Sequence, residues 1–382
     1  MKTLYLDNAA TTPLAIEVTK ELNKQIKNYG NPSSRHAIGK TAKEEVEKVR
    51  EKIAKFINAK PEEIFFTSGA TESNNWAMKG TALANPLKKH ILISCIEHPS
   101  ILETCETIKK QGYTIDLVSV NKEGVINIEE LKKKISDNTL LVSIMHVNNE
   151  IGTIQPLEEI AKICKEKNIV FHTDAVQSFG KIKIDASKVD LLSVSGHKLN
   201  AIKGIGFLYI KKGTKISPLL NGGGQERNMR SGTENFLGIV SIGKAIELKR
   251  RINEASQSRV RIIKKLLKIP GTILNGSIER GACNIISLSF YGIEGESLQM
   301  LLDEEGISVS TGSACSSNKL SASHVLKAIG VDEYHINGNI RLSLGTLEIL
   351  TKAQENILVK KIKENVKKLQ KISPIKFEEH KK

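Results

Sequence analysis

Lys198 and Asp174 are the first residues whose type and setting suggest chemistry. Lys198 follows a run of apolar and small residues, Val189–Val194, that stops at Ser195-Gly196. Such a run reads as a strand buried on both faces. In open α/β sheets, ligands sit beyond the carboxyl ends of strands. A lysine placed there can lose its proton and attack a carbonyl, as Schiff-base lysines do. The alternative is a solvated surface lysine, of which this chain has many. Asp174 ends a second strand-like run, Asn168-Ile-Val-Phe-His-Thr173. Two strand ends with a helix between them would bring Asp174 and Lys198 into one crevice. Pyridoxal phosphate (PLP) needs such a pair, a lysine for the covalent link and a carboxylate for the pyridinium proton.

A phosphate needs a seat as well. Glu63-Ile-Phe-Phe-Thr67 reads as a strand, Ser68-Gly-Ala-Thr-Glu-Ser73 follows, and Asn74–Lys79 reads as helix. Free backbone N–H groups and the helix dipole favour an anion there, and Thr71 adds a hydroxyl. The same residues also spell an ordinary helix cap, and the two readings are compatible. Five cysteines occur, an odd number with no CxxC spacing, which argues against a disulfide framework or structural zinc. Four read as buried small hydrophobes. Cys315 differs, because Ser310-Thr-Gly-Ser-Ala-Cys-Ser-Ser-Asn-Lys-Leu320 is a run of small polar residues that builds no core. It is expected in an exposed mobile loop.

The elements that must position these residues alternate along the chain. Strands are expected at 63–67, 90–94, 114–120, 140–145, 168–174, 189–194 and 207–210, with helices between most of them. That pattern argues for a mostly parallel sheet covered on both faces. One helix, with Val46, Val49, Ile53, Phe56 and Ile57 at helical spacing, presents a charged face that reads as solvated. A single connector helix is expected over 236–268. After Pro270-Gly271 short strands and helices suggest a smaller α+β unit, closed by a helix at 351–371 with a Thr351/Gln354 capping box. The expected division is a large domain at 14–255 and a small one from 1–13 and 256–382. The 382 residues are enough for both.

Net charge is +15 and aromatics are 4%. The basic residues are spread along helical segments without interleaved aromatics, and no nucleic-acid-binding signature is present. The charge fits anionic small molecules and acidic partners better than nucleic acid. No apolar run is long enough to span a bilayer, and no signal-peptide core precedes residue 13. A cytoplasmic protein is the expectation.

Several strand ends converge on Thr71, His98, Asn149, Asp174, Gln177 and Lys198. Ser68-Gly-Ala-Thr-Glu-Ser73, Glu97-His98, His146-Val-Asn-Asn-Glu-Ile-Gly152, Asp174-Ala-Val-Gln177, Ser195-Gly-His-Lys198, Arg230-Ser-Gly-Thr233 and Ser313-Ala-Cys315 occur in that order. As a set they resemble the cysteine desulfurases of the NifS/IscS type, from Tyr5-Leu-Asp7 to about Ser373. The resemblance implies the aspartate-aminotransferase-like fold type I of PLP enzymes and an obligate homodimer. It implies L-cysteine as substrate, with alanine and an enzyme persulfide as products. The sulfur would serve iron–sulfur cluster assembly through a scaffold partner, and tRNA thiolation as a second destination.

By that resemblance Lys198 carries the cofactor and His98 stacks on its ring, with or without moving protons. Asp174 pairs with the pyridine nitrogen and Gln177 with the ring oxygen. Ala70 (through its backbone), Thr71, Ser195 and His197 hold the phosphate, and Thr233 reaches the phosphate in the neighbouring subunit. Asn149 and Arg341 meet the substrate, Arg341 forking onto its carboxylate. Cys315 accepts the sulfur and, with a scaffold partner, is a transient iron–sulfur ligand. Glu150, Arg35, His36 and His146 receive no role. The chain departs from the family after the lysine, with Leu199-Asn200-Ala201-Ile202-Lys203-Gly204 where the family has an aromatic or similar residue and then Gly-Pro-Lys-Gly. Two alternatives stay open, a selenocysteine or cysteine-sulfinate lyase and a PLP-bearing sulfur carrier of low activity.

Overall fold

The computed structural model describes residues 3–312 and 322–375. Cys315 lies outside the described residues. Among them are twelve strands: β1 (Leu4–Tyr5), β2 (Ile64–Thr67), β3 (His90–Ser94), β4 (Thr114–Val118), β5 (Thr139–Ser143), β6 (Val170–Asp174), β7 (Leu191–Ser195), β8 (Gly206–Ile210), β9 (Thr272–Asn275), β10 (Ile285–Phe290), β11 (Ile307–Ser308) and β12 (Asn339–Ser343). Seven form one sheet in the order β2-β8-β7-β6-β5-β3-β4. Only β8 runs against its neighbours. Strands β2, β3, β5, β7 and β8 are buried along their whole length, as their unbroken apolar runs require.

One large apolar cluster fills one side of this sheet, where Val46, Val49 and Ile53 from helix Ala37–Phe56 meet Ile239 and Ile242 from helix Phe236–Ala245. Met78, Ile101, Ile108 and Leu141 form a separate cluster on the other side. A second, antiparallel sheet has the order β12-β10-β9 and shares its core with helices Ile252–Leu266 and Lys352–Ile372. The Thr351/Gln354 capping box is present at the head of the last helix. Strand β1 pairs with β11, and Asp7 bridges to Ser343, so residues 4–7 run beside the second sheet.

Three expectations fail for identifiable reasons. No α-helix separates β6 from β7, only a 3-10 turn at Ala186–Lys188. Residues 175–182 begin a helical turn, with Ser178 and Phe179 N–H groups donating to Ala175 O. Gly180 ends it at φ +74°, and a Cβ there would lie 2.4 Å from the Leu199 side chain. The connector at 236–268 is two helices, Phe236–Ala245 and Ile252–Leu266. Arg250 breaks it by turning its guanidinium back onto the Ala245 and Leu248 carbonyls and across to Leu199 O. The charged face of helix Ala37–Phe56 is not wholly solvated. Arg50 is buried and pairs with buried Glu226 through two bonds of 2.8 Å.

That ion pair anchors the loop at 221–235. Glu226, Arg227 and Asn228 all take positive φ, at 48°, 57° and 65°. Left-handed backbone costs a residue with a side chain about 1–2 kcal/mol, and the Arg50–Glu226 pair offsets it. Arg50→Ala would strand the Glu226 carboxylate without a counter-charge. The expected loss is about 3–5 kcal/mol, the range for breaking a buried pair. Chemical denaturation checks it, and a loss below about 1 kcal/mol would place Glu226 among exposed pairs.

Candidate functional site

Five strands deliver their carboxyl ends to one edge of the large sheet. Strand β2 leads to helix Ala70–Ala84, β3 to Glu97-His98, and β5 to His146–Asn149. Strand β6 ends at Asp174, and β7 at Ser195 before Lys198. The helix at Ala70 is drawn against β7 because Gly206 is a glycine. A Cβ there would lie 2.7 Å from the Gly69 Cα and 2.4 Å from Val194 O. The Ser195 hydroxyl stands 3.6 Å from where a Gly69 Cβ would be. The first helical N–H groups, Thr71 and Ser195 therefore share one small region. The Ser/Thr cap reading does not hold, because the N-cap is Gly69 and no side chain caps the helix; Glu72 instead accepts from Ser68 N at 2.8 Å and pairs with Arg230 at 2.7 Å. The Arg230–Glu72 pair ties the 221–235 loop to this helix, and Thr233 on that loop is exposed.

Lys198 lies in the loop between β7 and β8. Its amine donates to the carbonyls of Ala9 and Ala10. Gln177 Nε2 donates to the same Ala9 carbonyl at 2.9 Å. The turn after the lysine lacks the family's glycine and proline but has its own supports. Asn200 takes φ +65°, its N–H donates to Thr12 Oγ1 at 2.7 Å, and its side chain donates to Pro13 O at 2.9 Å. Asparagine tolerates that backbone better than most residues. Leu199 is buried in the main core.

Asp174 is linked to His98 by residues that sequence reasoning missed. Asn74 Nδ2 donates to Asp174 Oδ2 at 2.8 Å and to Ser100 Oγ at 2.9 Å. Ser100 Oγ lies 2.9 Å from His98 Nδ1, which also accepts from Ser100 N. A backbone N–H can only donate, so Nδ1 is the acceptor and the neutral ring carries its proton on Nε2. Burial lowers the His98 pKa, Asp174 opposes this, and Lys198 adds to it. Burial also takes His197 to about 4, helped by Lys198, and His146 to about 4. The imidazoles here are neutral at neutral pH.

Arg341 is buried on β12. It donates to Asp7 Oδ1 at 2.9 Å and to Asn149 O at 3.1 Å, and its Nε is buried without a partner. Residues 7–12 are thus sewn into the site along their length. Asp7 meets Arg341, Ala9 meets Gln177 and Lys198, and Thr11 lies 3.2 Å from His197 Nδ1. Glu97 is fully buried and receives Ser94 Oγ at 2.5 Å and Met145 N at 2.8 Å on one oxygen. Burial pushes its carboxyl up to about 8, so it carries its proton at neutral pH. Its neighbour in the sequence, His98, drew attention for its ring, whereas a lone glutamate gives no signal of burial.

The residues fit PLP. Gln177 Oε1, His146 Nδ1, Asn74 Oδ1 and Arg341 Nε are buried polar atoms without partners around one edge, where a polar occupant belongs. Among the described residues no cluster of three or more His, Cys, Asp or Glu side chains is placed to hold a metal ion. Among them, too, no helix is long and apolar enough to cross a membrane.

Comparison with known proteins places the family and the fold. Residues 4–353 match the family model of aminotransferase class V. A cysteine desulfurase IscS of Methanosarcina thermophila is 49% identical over 98% of this chain and 94% of its own. The solved structure of a NifS-like protein superposes with a TM-score of 0.90 at 40% identity, covering 96% of this chain and all of that one. Another, described as SspA in complex with cysteine, gives 0.82 at 35% identity over 91% of this chain and 100% of its own. The architecture is fold type I of PLP-dependent transferases, with its mostly parallel sheet. Matched along nearly its whole length in sequence and in shape, the chain belongs to the class-V aminotransferase family, among the cysteine desulfurases of the NifS/IscS type.

Proposed function

We propose that the protein takes the sulfur of L-cysteine onto Cys315 as a persulfide and releases L-alanine. The convergence of Lys198, Gln177, Asp174 and His98 on one sheet edge, facing Arg341, carries this reading. PLP, when bound, supplies the electron sink that stabilises negative charge at the substrate Cα. Lys198 would hold it covalently, Asp174 would pair with its pyridine nitrogen, and Gln177 with its ring oxygen. The Ala70 and Thr71 N–H groups, the Thr71 and Ser195 hydroxyls and His197 would hold its phosphate. Thr233, exposed in one subunit, would reach the phosphate in the partner of a homodimer. Arg341 forks onto the substrate carboxylate beside Asn149. His98, neutral with its proton on Nε2, flanks the ring and is placed to pass a proton to carbon.

The sulfur step balances without an added oxidant. The Cys315 thiolate bonds to the substrate sulfur as the Cβ–S bond breaks. The electron pair of that bond stays with carbon, which takes a proton and becomes alanine. Cys315 is left as a persulfide, ready for the thiol of an iron–sulfur scaffold and for acceptors in tRNA thiolation. On the scaffold it doubles as a transient cluster ligand. We place the reaction in the cytoplasm. We divide the chain at 14–255 and at 1–13 with 256–382, a division supported by the separate apolar clusters of the two sheets.

Turnover of L-cysteine, L-selenocysteine and L-cysteine sulfinate by the wild-type protein, with reductant present, tests this reading. L-cysteine should give alanine and sulfide in equal amounts. Faster release from the sulfinate or from selenocysteine would make the protein a lyase. PLP binding without sulfide release would make it a carrier.

A further inference from the structure

The described chain leaves the site at Gly312 and returns at Ala322, with Cys315 between. Both roots of that segment meet one carboxylate. Ser310 exchanges backbone hydrogen bonds with Arg341, at 2.7 and 3.2 Å. Gly312 N donates to Asn339 Oδ1 at 3.0 Å. A Cβ on Gly312 would stand 3.1 Å from Glu150 Oε2. On the return side, Ser323 Oγ donates to the same Glu150 oxygen at 2.5 Å. That hydroxyl also accepts from Val325 N and Leu326 N, so its whole hydrogen-bonding capacity is used.

The short helix His324–Ala328 behind Ser323 is pinned to the strand ends on two sides. Val325, Leu326 and Ile329 pack with Ile96 and Ile151. Those isoleucines are the chain neighbours of Glu97 and Glu150. His324 Nε2 lies 3.0 Å from Glu97 O, a carbonyl that can only accept. Glu150 itself is buried next to Asn149, whose carbonyl Arg341 holds. Burial raises its carboxyl to about 7, with Ser323 and Arg341 opposing. A buried carboxyl is costly unless it is hydrogen-bonded, and Ser323 supplies that bond.

We propose that Glu150 is a positioning residue for sulfur transfer, which bonds the returning root of the Cys315 segment through Ser323 and packs against the departing root at Gly312, beside the Asn149–Arg341 pair. This rests on Cys315 being the sulfur acceptor. Glu150 touches neither reacting sulfur. It acts through Ser323 and Gly312, and sets where the thiol-bearing segment leaves and rejoins the site. Substrate capture by Arg341 does not require it, whereas the thiol's approach to the substrate sulfur does.

The experiment compares Glu150→Ala, Glu150→Gln, Ser323→Ala and the Glu150→Ala/Ser323→Ala double variant. Persulfide formation in the first turnover at saturating L-cysteine should fall about tenfold to a hundredfold in Glu150→Ala, the scale of a misplacement near 1 Å. KM and the spectral change on adding L-cysteine should stay as in the wild type. Glu150→Gln should recover most of the rate, since its amide oxygen accepts the same hydroxyl. Ser323→Ala should behave as Glu150→Ala does, and the double variant should be no worse than either. In cofactor-free protein, the Val325 and Leu326 amides should exchange faster in Glu150→Ala and Ser323→Ala than in the wild type or Glu150→Gln.

A wild-type first turnover in Glu150→Ala overturns the proposal. So does a KM that rises as kcat falls, which would assign Glu150 to the substrate's own site. Additive losses in the double variant overturn it as well. Unchanged exchange in β5–β7 certifies the fold, and Ser323→Ala tests the link with the carboxylate left in place. If Cys315→Ser transferred sulfur normally, the underlying function would fail instead, whatever Glu150 does.

Discussion

Cys315→Ser should leave a protein that binds L-cysteine and transfers no sulfur. A serine hydroxyl is a poor nucleophile toward sulfur and cannot hold the product as a persulfide. Alanine release should fall by about a thousandfold or more, as when a covalent nucleophile is removed elsewhere. PLP content and the spectral change on adding L-cysteine should be unaltered. The other four thiols are not equipped to substitute. Burial pushes Cys105 and Cys164 up to about 12, and it raises Cys283 and half-buried Cys95 as well. Mass spectrometry of the wild type after L-cysteine, without reductant, should show about 32 Da added to the Cys315 peptide alone. Alanine and sulfide at the wild-type rate from the serine variant would remove Cys315 from the mechanism.

Lys198→Ala should abolish covalent attachment of the cofactor and nearly all turnover, a loss again of about a thousandfold or more. PLP should still bind, because the seat at Ala70 and Thr71, Asp174 and Gln177 are untouched. Borohydride should fix cofactor to the wild-type chain and not to the variant. The structure names the rival amine. Lys181 is buried, donates to Gln177 O at 3.0 Å, and is lowered to about 8 by burial. Lowered that far, it is a candidate nucleophile. Its position is the argument against it, for it lines a cavity of about 530 Å³ with Asn8 and Thr12, which neither Asp174 nor Lys198 borders. Peptide mapping of the reduced protein decides, and label on Lys181 in either protein would overturn the assignment of Lys198.

The two reactive ends of this site were legible because each follows an apolar run that announces a strand. Lys198, Asp174 and His98 stand within four residues of a strand's last residue, and periodicity finds strands well. Their supports were not legible. Asn74 reaches Asp174 across 100 residues, Arg50 reaches Glu226 across 176, and Asp7 reaches Arg341 across 334. No local pattern encodes such pairs. Arg50 shares its helix face with buried Val46, Ile53 and Ala54, but its partner lies on a distant loop, so a buried charge looked like a surface one. The break at Arg250 was missed for a related reason. The arginine ends the helix by bonding carbonyls, with neither glycine nor proline to mark the place.

The threading of residues 7–12 through the site has a consequence for the order in which the molecule is made. Asn8 donates to Ser343 O across 335 residues, and Ala9 receives Lys198 from 189 residues away. Apart from β2 and β8, the neighbours in the large sheet are much closer along the chain, and such contacts form sooner. Distance costs little stability, since each doubling of a closed loop adds only about 0.6 kcal/mol of entropy. It costs time. A nascent chain that has not yet reached β12 can hold the seven-stranded sheet, Lys198 and Gln177, but it has nothing to seat Asp7 and lacks the Ser343 contacts that hold Asn8 and Ala9. The reactive lysine is therefore among the first site residues made and among the last to be put in order, so an unfinished chain carries the amine without its chemistry.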